Sequence, residues 1–112
     1  MLMASFIFTE TDLDETFFTL DALILEAAEA TPGYIGKENW VSQDGGTRNS
    51  VYYWRDQKAL AQFARHPKHL EAKRQYEKWY GGFHVVISEI KKSYGDGALA
   101  HLTPNDRLRR AS

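Results

Sequence analysis

The chain has 112 residues, which is enough for one domain and too few for a second hydrophobic core. Its content of 43% hydrophobic and 13% aromatic residues can fill a packed interior, so we expect the chain to fold. Fourteen basic and fifteen acidic side chains give a net charge of -1, which argues against nucleic acid and anionic membranes as partners.

The sequence contains no cysteine, which excludes disulfides, thiolate metal sites and a cysteine nucleophile. A cysteine-free chain fits a reducing compartment, so we predict a soluble, cytoplasmic protein. Residues 1–8 are too short and uncharged for a signal peptide, and no apolar run approaches the roughly 18 residues that a membrane span needs. No membrane partner is therefore expected.

The first third of the chain predicts a strand followed by a helix. Residues 2–8 form a short apolar run, typical of a buried strand. Thr11 and Asp12 then offer side-chain oxygens that can cap a helix, and Pro32 and Gly33 end it. Apolar residues at helical spacing predict that one stripe of this helix faces inward: Leu13, Phe17, Leu20, Ile24 and Ala27.

Residues 34–43 and 47–55 predict two strands of a hairpin around Asp44-Gly45-Gly46, whose glycines can supply a positive φ. Alternation puts Tyr34, Gly36, Glu38, Trp40 and Ser42 on one face of the first strand, and Ser50, Tyr52 and Trp54 on one face of the second. The pattern leaves open whether these two faces coincide. For Glu38 we favour an ion pair with Arg48 or Arg55 over an exposed or proton-accepting role.

Helical spacing resumes at Asp56, but Pro67 lacks an N–H and predicts a break near His66. Gly81 and Gly82 are expected to end this helix, and a last strand runs from Phe83 to about Tyr94. The inward positions are predicted to be Leu60, Phe63, His69, Ala72, Tyr76 and Trp79. We predict one domain over residues 1–94 and a C-terminal tail or arm over residues 95–112.

The order strand, helix, strand, strand, helix, strand predicts an α+β, ferredoxin-like βαββαβ fold, with two helices on one face of an antiparallel sheet. The second face carries apolar residues that need cover, and two-fold pairing with a second copy would provide it. A mostly polar second face in a monomer is the alternative. Apolar strand residues that fall on the two faces include Trp40, Val51, Tyr53, Val85, Val86 and Ile87.

The stretch from Gly33 to Gly95 resembles the antibiotic biosynthesis monooxygenase-like family of dimeric α/β barrels. The resemblance is clearest in Tyr53-Trp54, Ala59-Leu60, His66-Pro67 with His69, and Trp79-Tyr80. It implies a homodimer joined sheet to sheet, with a ligand cavity between the sheet and helices of each subunit. The family includes cofactor-independent oxygenases of anthrones and quinols, haem-degrading oxygenases and proteins without an established activity, so fold alone does not fix the reaction.

Three residues are the predicted catalytic candidates. His69, on an apolar helical face, could move a proton or bind iron, with a structural histidine as the alternative. Asn39 could steady an oxyanion, although on a hairpin it could equally face solvent, and Trp54 would pack on a substrate ring. His66 could instead bind backbone groups released at the break. The predicted ligand pocket is completed by Trp40, Tyr52, His66, Tyr76 and Trp79.

The family resemblance, together with the polar minority among these aromatic residues, implies a cofactor-independent monooxygenase acting on a small aromatic, quinol or anthrone-like substrate. The alternative is a non-catalytic dimer that binds a small aromatic ligand or haem. No His/Asp/Glu set has clear metal-ligand spacing, so no metal is expected. The haem-degrading relatives pair an asparagine in the first strand with tryptophan and histidine, and residues 3–8 here contain no asparagine, which counts against haem degradation.

Overall fold

The computed structural model describes residues 1–10, 15–75 and 80–107. The predicted cap at Thr11 and Asp12, and the inward Leu13, lie outside these residues. Within them, no helix is long and apolar enough to cross a membrane. The elements are β1 (Leu2–Glu10), α1 (Glu15–Glu29), β2 (Tyr34–Val41), β3 (Thr47–Trp54), α2 (Gln57–Ala64), α3 (Pro67–Gln75) and β4 (Tyr80–Glu89).

The four strands form one antiparallel sheet in the order β2-β3-β1-β4. This is the ferredoxin-like order that the sequence predicts, and the fold class is confirmed. The sheet is open, because β2 and β4 are both edge strands. The consecutive strands β2 and β3 form the hairpin, whereas β1 and β4 join through long connections that carry the helices.

The helices cover one face of the sheet, which we call the helix face. Residues opposite each other on neighbouring strands point to the same side, and Phe6 is opposite both Ser50 and Val85. Helices α1 and α2 pack on this face around the fully buried Trp54. The other face, which carries Val51 and Tyr53, is the open face. Among the described residues, the buried cluster on the helix face includes Ile24, Ala27, Ala28, Trp54, Ala59 and Phe63.

The register of the hairpin shows that the predicted face of β2 with Glu38 and Trp40 does not coincide with the face of β3 that carries Tyr52 and Trp54. Glu38 is opposite Val51 and Trp40 is opposite Asn49, so both point to the open face, away from Trp54. Tyr34 was expected to share their face, and this prediction is wrong. A register shift between Tyr34 and Gly36 turns Tyr34 to the helix face, where its ring lies 5.2 Å from that of Trp54.

The hairpin turn has the predicted chemistry. Gly45 adopts a φ of 79°, in the region that glycine occupies without strain. The Asp44 carboxylate accepts the backbone N–H of Gly46 and the hydroxyl of Ser42. The Ser42 hydroxyl oxygen in turn accepts the N–H of Thr47. The bond from Ser42, and then that from Gly46, lower the pKa of Asp44, since both favour the charged carboxylate.

The second helical segment is divided where the proline predicts it. Helix α2 ends at Ala64, and α3 begins at Pro67, a position where no N–H is needed. Asp56 caps the start of α2 by accepting the N–H of Ala59 at 2.9 Å. The predicted break near His66 is therefore confirmed.

The predicted bounds of the last strand are wrong. Strand β4 begins at Tyr80, so Gly81 and Gly82 lie inside it instead of ending a helix. It ends at Glu89, opposite Leu2, the first residue of β1, and the Ile90 N–H donates to the carbonyl of Met1. Propensity cannot reveal this limit, since a strand extends only as far as its partner provides hydrogen-bonding groups.

Residues 93–106, which overlap the predicted arm of residues 95–112, form a closed loop that we call the arm loop. The N–H and C=O of Ser93 bond to the side chain and N–H of Asp106. Gly95 makes the same reciprocal pair with the Asn105 side chain. Leu102 lies over Gly36, where an added Cβ would come within 2.7 Å of a Leu102 methyl group.

Two glycines with positive φ give a matched test of the packing of α2. Gly45→Ala should cost about 1 kcal/mol of unfolding free energy, from backbone strain alone, because nothing lies within 4 Å of the new Cβ. Gly33→Ala should cost about 2–4 kcal/mol, because its Cβ would also lie 2.7 Å from that of Ala59. Urea denaturation measures both, and equal losses would contradict tight packing at Gly33.

Candidate functional site

A cavity of about 510 Å³ lies between the helix face of the sheet and helices α1, α2 and α3. Strands β1, β3 and β4 each contribute alternate residues to its floor, as strand geometry requires. Phe83, Val85 and Ile87 of β4 line it and are still 46–58% exposed, so the cavity opens along β4. The remaining walls include Ala4, Phe6, Phe8, Asp21, Ile24, Ser50, Tyr52, Trp54, Leu60, Phe63, Ala64 and His69.

Phe63 of α2 joins the aromatic side chains of the cavity into one wall. Its ring lies 4.9 Å from that of Trp54 and 6.0 Å from that of Tyr52, between centroids. The ring of His69 lies 4.7 Å away on α3. These distances are typical of packed aromatic pairs, and the Phe63 ring is inclined by 30–59° to its three neighbours. Such a surface suits a planar, largely apolar ligand.

The indole of Trp54 brings a polar group into this apolar wall. The side chain is 0% exposed, and its Nε1–H has no hydrogen-bond partner among the described residues. A buried donor without an acceptor costs about 1–3 kcal/mol, so such groups are rare in folded proteins. Nε1 has no accessible surface, so a ligand oxygen becomes its acceptor only when the wall rearranges on binding.

His69 lies on the same wall, supplied by the first turn of α3. The residue is half-buried and its Nδ1 is buried. Because α3 begins at Pro67, the helix break aims this turn back toward the sheet. The rings of His69 and Trp54 thus both pack on Phe63, at 4.7 Å and 4.9 Å between centroids. An imidazole and an indole N–H are groups that proton transfer and oxyanion binding use.

Polar groups also occupy the end of the cavity toward α1 and β2. The Ser50 hydroxyl lines the cavity and donates to Oδ1 of Asn39 at 2.9 Å. Asp21 of α1 lines it as well, and its Oδ1 lies 3.8 Å from Nζ of Lys37. Lys37 also lies over the ring of Tyr52, 5.1 Å from the centroid.

The cavity brings together three of the predicted site residues: His69, Trp54 and Tyr52. Asn39 is exposed and reaches the cavity only through Ser50. Trp40 is 60% exposed on the open face, because strand alternation turns it away from Trp54.

His66 is half-buried at the helix break and does not line the cavity; its backbone bonds to Phe63 and Leu70 there. Tyr76 and Trp79 lie outside the described residues. Among the described residues, no group of three His, Asp or Glu side chains could hold a metal ion.

The sequence reasoning did not single out several cavity residues. Phe63 was predicted only to be inward-facing. No role was predicted for Asp21, which lines the cavity, or for Lys37, which lies beside Asp21. Lys37 precedes Glu38 on β2, so alternation places it on the face opposite to that of Glu38, and the register shows that this is the helix face. That position was the available signal, because a lysine on a covered face is unusual.

The open face carries a separate polar cluster that anchors the arm loop. The Tyr53 hydroxyl donates to Oε1 of Glu38 at 2.6 Å, and Nε2 of His101 bonds to Oε2 at 3.0 Å. Nδ1 of His101 accepts the N–H of Thr103, so the proton is on Nε2. Glu38 therefore pairs with a tyrosine and a histidine, and the predicted ion pair with Arg48 or Arg55 is wrong.

The described residues form an α+β fold with an aromatic-walled cavity under its helices. The family model described as monooxygenase af470-like matches residues 10–88. The chain therefore belongs to the monooxygenase af470-like family, and the predicted resemblance to antibiotic biosynthesis monooxygenases is confirmed. No curated protein matches the chain.

Solved structures share the fold at low sequence identity. Rv0793 from Mycobacterium tuberculosis is 17% identical with a TM-score of 0.72, over 84% of this chain and 98% of that one. SnoaB from Streptomyces nogalater, a cofactor-independent oxygenase, is 13% identical with a TM-score of 0.71, over 82% and 94%. An antibiotic biosynthesis monooxygenase is 15% identical with a TM-score of 0.67, over 80% and 98%.

The open-face cluster predicts a loss of stability at high pH. Burial, and then the hydrogen bond to Glu38, raise the pKa of Tyr53 from 10.0 to about 12. Because the folded protein holds this proton more tightly, the resulting stability is complete below pH 10 and is lost as the pH rises toward 12. Burial also raises the pKa of Tyr34, which adds to the same trend.

Absorbance of tyrosinate should therefore show a late titration that Tyr53→Phe removes. In Glu38→Gln the pKa of Tyr53 should fall toward 10.0 without reaching it, because burial remains. An unchanged titration in Glu38→Gln would contradict the role of this hydrogen bond.

Proposed function

We propose that this protein is a cofactor-independent monooxygenase that acts on a small aromatic, quinol or anthrone-like substrate. The observation that carries the proposal is the juxtaposition of His69 and the buried Nε1–H of Trp54 on one aromatic wall. Membership of a monooxygenase family and the fold shared with the cofactor-independent SnoaB support it.

In the proposed reaction His69 removes a proton from the activated CH or OH group of the substrate. The charge left behind spreads into the ring system, and Nε1–H of Trp54 hydrogen-bonds the oxygen where it accumulates. The electron-rich anion passes one electron to O₂, and the two radicals combine to form a C–O bond. For an anthrone, loss of water then converts CH₂ and O₂ into C=O and H₂O. The atoms and electrons balance without a cofactor.

Two further groups would orient the substrate in this mechanism. The rings of Tyr52 and Phe63 hold its plane against the wall. Asn39 acts at one remove, because its Oδ1 fixes the direction of the Ser50 hydroxyl that lines the cavity. We therefore propose Asn39 as a positioning residue, since its contact to the cavity is through Ser50.

Oxygen uptake with a panel of anthrones and hydroquinones tests the proposal. His69→Ala should lower the rate by about 100-fold or more, as expected for loss of a general base. Trp54→Phe keeps the aromatic packing and removes the N–H, so it should lower the rate by about 10-fold or more.

Two variants on the open face serve as matched controls for oxygen uptake. His84→Ala and Trp40→Phe change the same residue types away from the cavity and should keep the wild-type rate. Equal rates for wild type, His69→Ala and Trp54→Phe would remove this site from the mechanism.

The non-catalytic alternative uses the same cavity. If haem were its ligand, His69 would be the residue to bind the iron, and a Soret band on titration would be lost in His69→Ala. The first strand still has no asparagine, so we do not favour haem degradation. A ligand that copurifies unchanged and resists oxygen would favour a binding protein.

We also propose that the protein works as a cytoplasmic homodimer paired through the open face. Val86, exposed at the β4 edge, and Trp40, exposed near the β2 edge, support this proposal, because both are apolar and lie on that face. A two-fold pairing would cover the same face in both copies.

Light scattering behind size exclusion should give about twice the chain mass of 12.9 kDa. Val86→Glu places a charge on the open face and should shift the protein toward the monomer. Val85→Glu, one residue away on the helix face, is the matched control and should stay dimeric. A wild-type mass near 12.9 kDa would overturn the dimer.

A further inference from the structure

Lys37 is a buried cation beside the cavity that the proposed reaction does not use. It lies on β2 opposite Tyr52, and its side chain is only 10% exposed. A buried ammonium is costly unless hydrogen bonds and opposite charge compensate it. The positions of its neighbours therefore indicate what the site is built to bind.

The compensation within the protein is incomplete. The Asp21 carboxylate is 3.8 Å from Nζ, whereas a charge-assisted hydrogen bond is about 2.7–2.9 Å long. The face of the Tyr52 ring lies 5.1 Å away and contributes a cation–π contact. Nζ has no hydrogen-bond acceptor among the described residues. Nζ thus lies beside Asp21 and Tyr52, two residues that line the cavity.

We infer that Lys37 binds a carboxylate on the aromatic ligand of this cavity. A carboxylic acid is ionised at neutral pH, whereas a phenol with an ordinary pKa near 10 is not, so a carboxylate provides the permanent negative charge. Asp21 is 46% exposed, and its side chain can turn into solvent when the ligand's carboxylate approaches Nζ. The ring of the ligand then lies on the wall of Tyr52 and Phe63.

This inference rests on the proposed function only in taking the cavity as the ligand site. It narrows the substrate class to aromatic compounds that carry a carboxylate. The alternative is that Lys37 and Asp21 form a purely structural ion pair between β2 and α1. A structural pair predicts that loss of either partner has the same effect. A binding cation predicts opposite effects on an acidic ligand, because Asp21 repels the group that Lys37 attracts.

Calorimetric titration with 1-hydroxy-2-naphthoate and with 1-naphthol tests the inference, since the two differ by one carboxylate. Wild type should prefer the naphthoate. Lys37→Met should weaken naphthoate binding by about tenfold or more and leave 1-naphthol within about twofold. Asp21→Asn should tighten naphthoate binding about threefold, and Lys37→Arg should keep the preference. Lys58→Met, an exposed lysine on α2, is the matched control and should change neither ligand.

Three outcomes would overturn the inference: no preference for naphthoate in the wild type, equal weakening of both ligands by Lys37→Met, or weakening of naphthoate by Asp21→Asn. If Lys37→Met does not fold, the wild-type preference and Asp21→Asn decide. The binding measurement is made without turnover, so it separates the two proposals. Acid preference without oxygen uptake overturns only the monooxygenase, and oxygen uptake without acid preference overturns only the role of Lys37.

Discussion

The contact between Trp54 on β3 and Phe63 on α2 is the packing interaction on which the rest of the structure depends. It attaches the helix layer to the sheet at one end, where small residues let the layers approach closely: Ala28 is fully buried against this pair, and Ala59 nearly so. Tight packing at this end leaves the helices standing away from β4, because the elements between them are rigid. The cavity is the space that results.

The same contact determines the chemistry that the cavity can offer. Trp54 is held by packing alone, so its N–H keeps its hydrogen-bonding capacity for a ligand. Phe63 contacts His69 across the helix break. The wall therefore combines apolar rings with polar atoms at their edges. A site built this way orients a flat ligand by its faces and recognises it by its edge atoms.

Much of the fold could be predicted from the sequence, because strand and helix periods, Pro67 and the Asp44-Gly45-Gly46 turn are local signals. The predictions were wrong where the structure depends on pairing with another strand. The shift at Tyr34 and the end of β4 both depend on hydrogen bonds to another strand, which no local pattern contains. Within the site, alternation sufficed for Tyr52 and Trp54, while the exclusion of Trp40 and the proximity of Lys37 to Asp21 required the register.

The arm loop has a closed base, since paired hydrogen bonds join Ser93 to Asp106 and Gly95 to Asn105. A loop whose two ends lie next to each other can change in length without moving the strand that precedes it. The tip of the arm loop, with Leu102 and His101, can therefore change in length or sequence without changing the shape of the cavity on the other side of the sheet. The covering of the open face and the ligand chemistry of the cavity can thus evolve independently.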